Sequence, residues 1–287
     1  MKILLMGILL LTIFSPARLL ASDPLSWCSP DFSPYFIKKG ELKNKGINDL
    51  IIQYLQARLP QYQHNYLKAN PSRIINELSE NRKLVCSALL KTPEREKKML
   101  FSQLPLFLVH PNHLVILKSR RAFFKQYIQE SGAIDLNTLL DSRLVLGVAT
   151  NRIYSGDIDA FVVDYESKDS VVKTTSSNIY LGLLKMLQRK RIDFTFGYPI
   201  ETTYLATKLK MDELFEVIPV VNMQALYPVY ITAPKTLWGE KTLSNIEAVY
   251  NNPEAILHFS SFYQTWLDDV TKIRYQIQVA DYYKEFF

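Results

Sequence analysis

Glycine is scarce in this chain of 287 residues: it has 9, where ordinary usage of about 7% would give roughly 20. Collagen, glycine-rich linkers and low-complexity repeats are therefore excluded. Neither G-x-G-x-x-G nor G-x-x-x-x-G-K-S/T occurs, so the sequence lacks the glycine-rich loops that cradle nucleotide phosphates. We expect no nucleotide and no other cofactor.

Cysteine and histidine are also rare, with two of the first and four of the second. The histidines have no spacing typical of zinc ligands, so a metal site is not expected. Cys28 and Cys86 form an even pair, and in an exported protein such a pair can close a disulfide. The alternative is two buried thiols that behave as small apolar residues, and the sequence leaves both open.

Long apolar runs are absent beyond the N-terminus, where the segment from Ile3 to Phe14 follows a short basic start. Residues 1–21 are typical of a secretory signal peptide cleaved near Ala21, and an uncleaved N-terminal anchor is the alternative. The run is too short to span a bilayer comfortably, and no other stretch approaches about 18 apolar residues. We therefore expect a soluble, periplasmic protein.

The net charge of +6 is unevenly distributed, and it falls to +4 without residues 1–21, which carry Lys2 and Arg18. Residues 22–118 hold 14 basic against 8 acidic residues, whereas 119–222 are balanced. No continuous basic face with interleaved aromatics accompanies the surplus, so nucleic acid is not an expected partner. The surplus indicates a bias toward a small anion instead.

What is present is a globular composition, 48% hydrophobic and 22% charged, with alternating strand-like and helix-like segments. The first series reads β-α-β-α-β over these segments: strand 25–29, helix 47–59, strand 63–67, a helix opened by Asn70-Pro71 and strand 84–89. Another strand follows at 113–117. Such alternation predicts a parallel sheet with helices on its faces.

A second β-α-β-α-β series starts after Lys118. Its main segments are strand 144–149, a helix from Tyr154 to Val163, a strand near 171–173, a helix capped by Ser177 and strand 192–196. Strands at 217–221 and 229–233 and a mostly helical tail complete the chain. We expect two lobes joined by two crossings: residues 22–118 and 223–287 form lobe 1, and 119–222 form lobe 2.

Several short motifs, in order along the chain, resemble those of one family. The motifs are Ser33-Pro34-Tyr35, Gly46-Ile47-Asn48-Asp49-Leu50, Thr92-Pro93-Glu94-Arg95 followed by Phe101-Ser102, Leu146-Gly147-Val148 and Gln188-Arg189-Lys190-Arg191-Ile192-Asp193. Together they resemble the extracellular solute-binding proteins of family 3, the amino-acid-binding type. Within that family the likeness is to a periplasmic subgroup distinct from the transporter components of known ligand.

This resemblance implies a two-lobed type II periplasmic binding protein fold, α/β in class, with a small-molecule ligand in the cleft between the lobes. It also implies a monomer that serves an inner-membrane permease or a sensor receptor. Arg95 of the T-x-x-R motif would hold a ligand carboxylate through two parallel charge-assisted hydrogen bonds. Ser87 and Thr92 would add hydroxyl groups, although Thr92 can equally be a local cap.

Other cleft residues follow from the same resemblance. Phe32 and Trp27 would stack on a flat ligand, although Trp27 can equally be core. Across the cleft, Arg152 and Tyr154 precede a helix, where an anion would meet a positive dipole and a full charge.

The sequence departs from the family at the two acidic positions that meet a ligand ammonium group. Tyr198 and Ser29 stand at those positions. A site with two arginines and no acid favours an anionic or aromatic solute over a free amino acid.

Two other functions remain open. One is an enzyme on the same fold, similar to cyclohexadienyl dehydratases, which would need a general acid such as Asp31 or Glu94. The other is an interaction protein that has lost its ligand. No G-x-S-x-G or H-E-x-x-H motif supports a further enzyme class, so we expect a binding protein rather than a catalyst.

Overall fold

The computed structural model describes residues 23–150, 152–154, 156–166, 170–175 and 179–287. The predicted signal peptide at 1–21 and the predicted cap Ser177 lie outside these residues. Among the helices described, none is long and apolar enough to cross a membrane.

The first half of the chain forms the predicted alternation of strands and helices. Its elements are β1 (Asp23–Cys28), α1 (Ile47–Gln56), β2 (Tyr62–Leu67), α2 (Pro71–Ser79), β3 (Leu84–Leu90), α3 (Pro93–Lys98), β4 (Met99–Phe101), β5 (Phe107–Val109) and β6 (His113–Leu117). Helix α1 buries Ile47, Ile51 and Leu55 on one face. Helix α2 begins where predicted, since Asn70 Oδ1 accepts a hydrogen bond from the Arg73 backbone N–H.

The second half contains shorter elements and then three long helices. After single-turn 3-10 and α-helical segments between Lys118 and Leu139, the elements are β7 (Leu146–Ala149), α5 (Asp157–Glu166), β8 (Val171–Thr174), α6 (Ile179–Gln188), β9 (Phe194–Gly197), α7 (Pro199–Lys208), β10 (Phe215–Ile218), β11 (Tyr227–Pro234), α8 (Leu237–Tyr250), α9 (Pro253–Gln264) and α10 (Asp269–Tyr283). The four-residue helix Arg121–Phe124 is α4. The predicted helix from Tyr154 begins three residues later, at Asp157.

Two sheets form the two lobes. The first has the order β2-β1-β3-β11-β4, with β5 also paired to β11. Strands β1, β2 and β3 are parallel, as predicted, and β11 returns antiparallel to β3, β4 and β5. The second sheet has the order β10-β6-β9-β7-β8, in which β7, β8 and β9 are parallel.

One strand belongs to a different lobe from the one expected. His113–Leu117 pairs antiparallel with β9 and β10 in the second sheet, although the sequence placed residues up to 118 in lobe 1. The chain therefore crosses between the sheets at residues 110–112 and returns at 219–226. The predicted strand His113–Leu117 is present as β6, and the strand before it, β5, which was not predicted, belongs to the other sheet.

The C-terminal helices hold the chain that leads into the first crossing. The hydroxyls of three buried tyrosines, Tyr250, Tyr275 and Tyr283, donate hydrogen bonds to the carbonyls of Leu104, Leu108 and Pro105. Buried backbone carbonyls need such partners. The helical tail therefore completes lobe 1 and fixes the start of the crossing.

Cys28 and Cys86 are both free and buried, rather than joined in the disulfide that the sequence left open. The register between β1 and β3 pairs Ser26 with Leu84 and Trp27 with Val85, so the two cysteines are neighbours across the strands. Burial raises the pKa of the Cys86 thiol well above its usual value, and the neighbouring Cys28 acts in the same direction. Buried thiols of this kind are poor nucleophiles.

Thiol labelling of unreduced protein tests this arrangement. We expect an alkylating reagent to modify neither cysteine rapidly in the folded protein, because both are buried, and to modify both once the protein is unfolded in denaturant. Mass spectrometry counts the adducts. If the unfolded, unreduced protein takes up no label, the cysteines are joined and the free-thiol assignment is wrong.

Candidate functional site

A cavity of about 160 Å³ lies between the two lobes. Lobe 1 contributes residues from β1, the following loop, α1, α2, β3 and α3, and lobe 2 contributes the ends of β7 and β9 with α6 and α7. Five of the residues predicted to bind ligand line this cavity: Phe32, Ser87, Arg95, Arg152 and Tyr198. Trp27, Ser29, Thr92 and Tyr154 are not among its lining residues.

Arg95 reaches the cavity because of how α3 begins. Thr92 is the N-cap, and its Oγ1 accepts a hydrogen bond from the Arg95 backbone N–H at 3.3 Å, while Pro93 occupies the first helical position. Arg95 is then the third residue of the helix, and its Nη1 donates to the Leu90 carbonyl at 2.8 Å. Thr92 thus positions the arginine instead of contacting the cavity.

The Arg95 guanidinium has no direct ion-pair partner in the described part of the chain, although the Asp159 carboxylate acts on it electrostatically. No described carboxylate lies within ion-pair distance of it, and the Leu90 carbonyl is its one side-chain acceptor there. Burial lowers the pKa of Arg95, although an arginine remains charged at neutral pH. Arg95 is thus a partly buried cation without a directly paired anion, and such an arrangement is costly.

Ser87 lines the same cavity, at the end of the regular part of β3. Its hydroxyl is buried and has no hydrogen-bond partner among the described residues. The next residue, Ala88, has a φ of +59°, and the pairing of β3 with β11 shifts register opposite it. Such irregularities re-aim side chains and concentrate at binding sites.

Phe32 and Tyr35 form the aromatic edge of lobe 1. Their rings stack with centroids 4.7 Å apart, and both rings contact Tyr198 of lobe 2, at 6.3 and 5.8 Å. These contacts close one side of the cleft.

Two other lobe 1 candidates face away from the cavity. Trp27 is fully buried and its Nε1 donates to His64 Nδ1, so it belongs to the core. Ser29 accepts a hydrogen bond from Lys38 Nζ and lines a separate surface groove.

The sequence predicted that Arg152 would offer its charge to an anionic ligand, but in the structure it pairs with Glu201. Its Nη2 and Nη1 lie 2.7 and 3.3 Å from the two carboxylate oxygens of Glu201, and Nη2 also donates to Asn112 Oδ1 at 3.1 Å. Burial acts against the charge on Arg152, but the Glu201 carboxylate outweighs it and raises the Arg152 pKa. The helix whose dipole was expected to act here, α5, starts at Asp157, five residues beyond Arg152.

Glu201 is the site residue that sequence reasoning missed. It is 1% exposed and lines the cavity, so the lobe does hold an acid, contrary to the expectation that both acidic positions had been lost. Like Arg95, it is the third residue of a helix that begins with proline, here Pro199 after the N-cap Tyr198. That shared pattern is the signal that could have found it.

Two buried polar residues complete the site. Asn112 lies in the first crossing, and its Nδ2 donates to the Tyr154 carbonyl at 2.9 Å. Asn48 on α1 lines the cavity, and no described group donates a hydrogen bond to its Oδ1. Within the described ranges, no group of three or more His, Cys, Asp or Glu is arranged to hold a metal ion.

Comparison with known proteins identifies the fold. No family model and no curated protein matches the sequence. Among solved structures, a histidine kinase sensor domain with similarity to periplasmic binding proteins superimposes with a TM-score of 0.65 at 11% identity, over 85% of this chain and 96% of that one. An arginine-specific periplasmic binding protein of Salmonella typhimurium gives 0.63 at 14%, over 86% and 100%.

A third structure comes from glutathione import through a cystine ABC importer of Streptococcus mutans, with a TM-score of 0.65 at 15% identity, over 88% of this chain and 99% of that one. At such identities the likeness establishes the fold. This chain has the two-lobed type II periplasmic binding protein fold, as its sequence motifs predicted.

The ion pair in lobe 2 generates a stability prediction. We expect Glu201→Gln to lower the free energy of unfolding by about 3–5 kcal/mol, because it leaves the Arg152 charge buried without its anion. Chemical denaturation measures the change. Glu213→Gln removes the acid of the exposed pair with Lys118 and should change stability by less than about 0.5 kcal/mol. If the two substitutions lower the free energy of unfolding equally, the buried ion pair contributes no more to stability than the exposed one, contrary to this prediction.

Proposed function

We propose that this protein captures a small, carboxylate-bearing solute between its lobes, with Arg95 as the partner of the carboxylate. The observation that carries the proposal is that Arg95 and Ser87 line the same cavity. Within the described residues Arg95 has no ion-pair partner, and the buried Ser87 hydroxyl has no hydrogen bond. A buried polar group without a partner, such as the Ser87 hydroxyl, is rare in folded proteins, and a ligand explains it.

The chemistry of the two groups favours a carboxylate. A guanidinium presents parallel N–H donors that match two carboxylate oxygens, and a neighbouring hydroxyl can donate a further hydrogen bond. The pairing would also give the partly buried charge of Arg95 an ion-pair partner. A neutral ligand of the same shape would leave that charge uncompensated.

The walls of the cavity indicate an apolar ligand body. Most of the remaining lobe 1 lining is aliphatic or aromatic: Phe32, Phe36, Ile74, Ile75, Ala88, Leu89 and Leu90. The volume of about 160 Å³ is close to that of an engineered cavity of about 150 Å³ that binds benzene. We infer an acid whose body is about the size of one six-membered ring. Asn48 Oδ1 can accept a hydrogen bond from a hydroxyl or N–H on that body.

The fold supports a role in delivery. Solved structures that share it include a periplasmic binding protein, a protein of glutathione import and a histidine kinase sensor domain. With the N-terminal segment typical of a signal peptide, we infer a monomeric periplasmic protein that passes its ligand to a permease or signals through a receptor.

The acids that a dehydratase-like enzyme would need are poorly placed for it. Glu94 is exposed and absent from the cavity lining, and Asp31 is exposed at the cavity mouth. Glu201 is buried in the cavity, but both its oxygens contact Arg152. Burial raises the pKa of Glu201, and the Arg152 guanidinium acts in the opposite direction. Binding is therefore the better-supported function.

Titration calorimetry with small acids tests the proposal. We expect at least one of benzoate, phenylacetate and 3-phenylpropionate to bind, and its primary amide to bind far more weakly, because the amide cannot compensate the Arg95 charge. Arg95→Ala should weaken binding of that acid by about 2–5 kcal/mol, a factor of about 30 to 5000.

Lys97→Ala is the matched control, since Lys97 is an exposed cation on the same short helix, and it should bind like the wild type. An Arg95→Ala variant that retains full affinity would refute the assignment. If no acid of the panel binds, the interaction-protein alternative gains, and if a bound acid is converted to product, the enzyme alternative gains.

A further inference from the structure

Four aromatic rings surround the Arg152 guanidinium. Its central carbon lies 5.6 Å from the ring centroid of Phe32, 5.4 Å from Tyr154, 5.2 Å from Tyr180 and 5.3 Å from Tyr198. A cation within about 6 Å of a ring face is attracted by the negative face of the ring. Three of these rings belong to lobe 2, and Phe32 belongs to lobe 1, so the arginine is enclosed from both sides of the cleft.

Two polar groups complete this enclosure. The carboxylate of Glu201 accepts two hydrogen bonds from the guanidinium, and Asn112 Oδ1 accepts a third. Aromatic faces, one carboxylate and one carbonyl oxygen are the groups that recognise an organic cation in solution. Here the cation they hold is a side chain of the same protein.

The enclosure is part of the cavity wall. Arg152, Tyr180, Tyr198 and Glu201 all line the cavity, and the Arg152 side chain retains 13% of its exposure. A small molecule in the cleft can therefore reach the place that the guanidinium occupies. An ordinary buried salt bridge in a core would lack this access.

We propose that the rings of Phe32, Tyr154, Tyr180 and Tyr198, with Glu201 and Asn112, form a guanidinium-binding subsite that Arg152 fills as an internal ligand. Emptied of Arg152, the subsite takes a small alkylguanidinium from solution. In the wild type Arg152 engages Glu201, so the subsite does not offer this carboxylate to the amine of a ligand, and this consequence rests on the proposed capture of a carboxylate. The subsite then selects against acids that would place a free ammonium group there.

Rescue of Arg152→Ala by ethylguanidinium tests the subsite, since this ion replaces the atoms that the substitution removes. We expect it to bind the variant saturably and to raise Tm by about 3 °C at ten times its dissociation constant. Ethylurea has nearly the same shape without the charge, and ethylammonium has the charge without the planar fork. Both should bind at least tenfold more weakly.

Two further variants make the result specific. Arg152→Ala combined with Glu201→Gln should lose the response to ethylguanidinium, because the carboxylate is gone. Arg191→Ala removes an exposed arginine and should show no response. If Arg152→Ala does not fold alone, the yield of folded protein on refolding with and without ethylguanidinium replaces the Tm measurement, and we expect a higher yield with it.

Two results would overturn the proposal: no saturable response of Arg152→Ala to ethylguanidinium, or an equal response to ethylurea, which would mean simple cavity filling. Titration of the wild type with the acid panel in parallel separates the two proposals. If the wild type binds an acid but ethylguanidinium does not rescue Arg152→Ala, the internal-ligand proposal is refuted and the proposed carboxylate site at Arg95 stands. If ethylguanidinium rescues the variant but no acid binds, the internal-ligand proposal stands and the carboxylate site is refuted.

Discussion

The buried ion pair between Arg152 and Glu201 is the interaction on which the cleft depends. Removing two charges from water costs several kcal/mol per ion, so the pair is stable only if its geometry and its surroundings offset that cost. Two contacts to the Glu201 carboxylate, a third hydrogen bond to Asn112 and four ring faces supply the compensation. Because Asn112 lies in a crossing and Phe32 in lobe 1, the same pair also ties the lobes and the crossing together.

The two walls of the cleft consequently differ in what they offer a ligand. The polar groups of lobe 2 largely satisfy one another, whereas lobe 1 presents Arg95 and a Ser87 hydroxyl that has no partner in the part of the chain that the structure describes. The helices that carry the opposing charges begin alike, with a proline at the first position and the charged residue at the third. Proline fixes the first turn, so each charge is held at a defined place at the cavity wall. The polar end of a ligand is expected against lobe 1.

Much of the fold could be predicted because local patterns determine it. Helix α1 was predicted from the apolar spacing of Ile47, Ile51 and Leu55, and the start of α2 from the Asn70-Pro71 cap. The strand His113–Leu117 was also found, but its lobe was not, since partner strands distant in sequence decide which sheet a strand joins. The intervening residues 110–112 have the composition of a turn and give no sign that they join two lobes.

The site was less predictable, because pairing between side chains is a three-dimensional property. Arg95, Ser87 and Phe32 could be named from motifs in lobe 1. Arg152 was found as well, but its charge was read as free, since 49 residues separate it from Glu201. A count of charges along the chain cannot reveal such neutralisation, which reverses the role of the arginine.

The structure of the protein with its acid ligand bound tests the central claim most directly. With the best-binding acid of the aromatic panel, we expect the carboxylate within hydrogen-bond distance of both the Arg95 guanidinium and the Ser87 hydroxyl, and the Arg152–Glu201 pair intact. A carboxylate bound to Arg152, with Glu201 displaced, would contradict this division of the cleft, as would a ligand outside the cavity between the lobes.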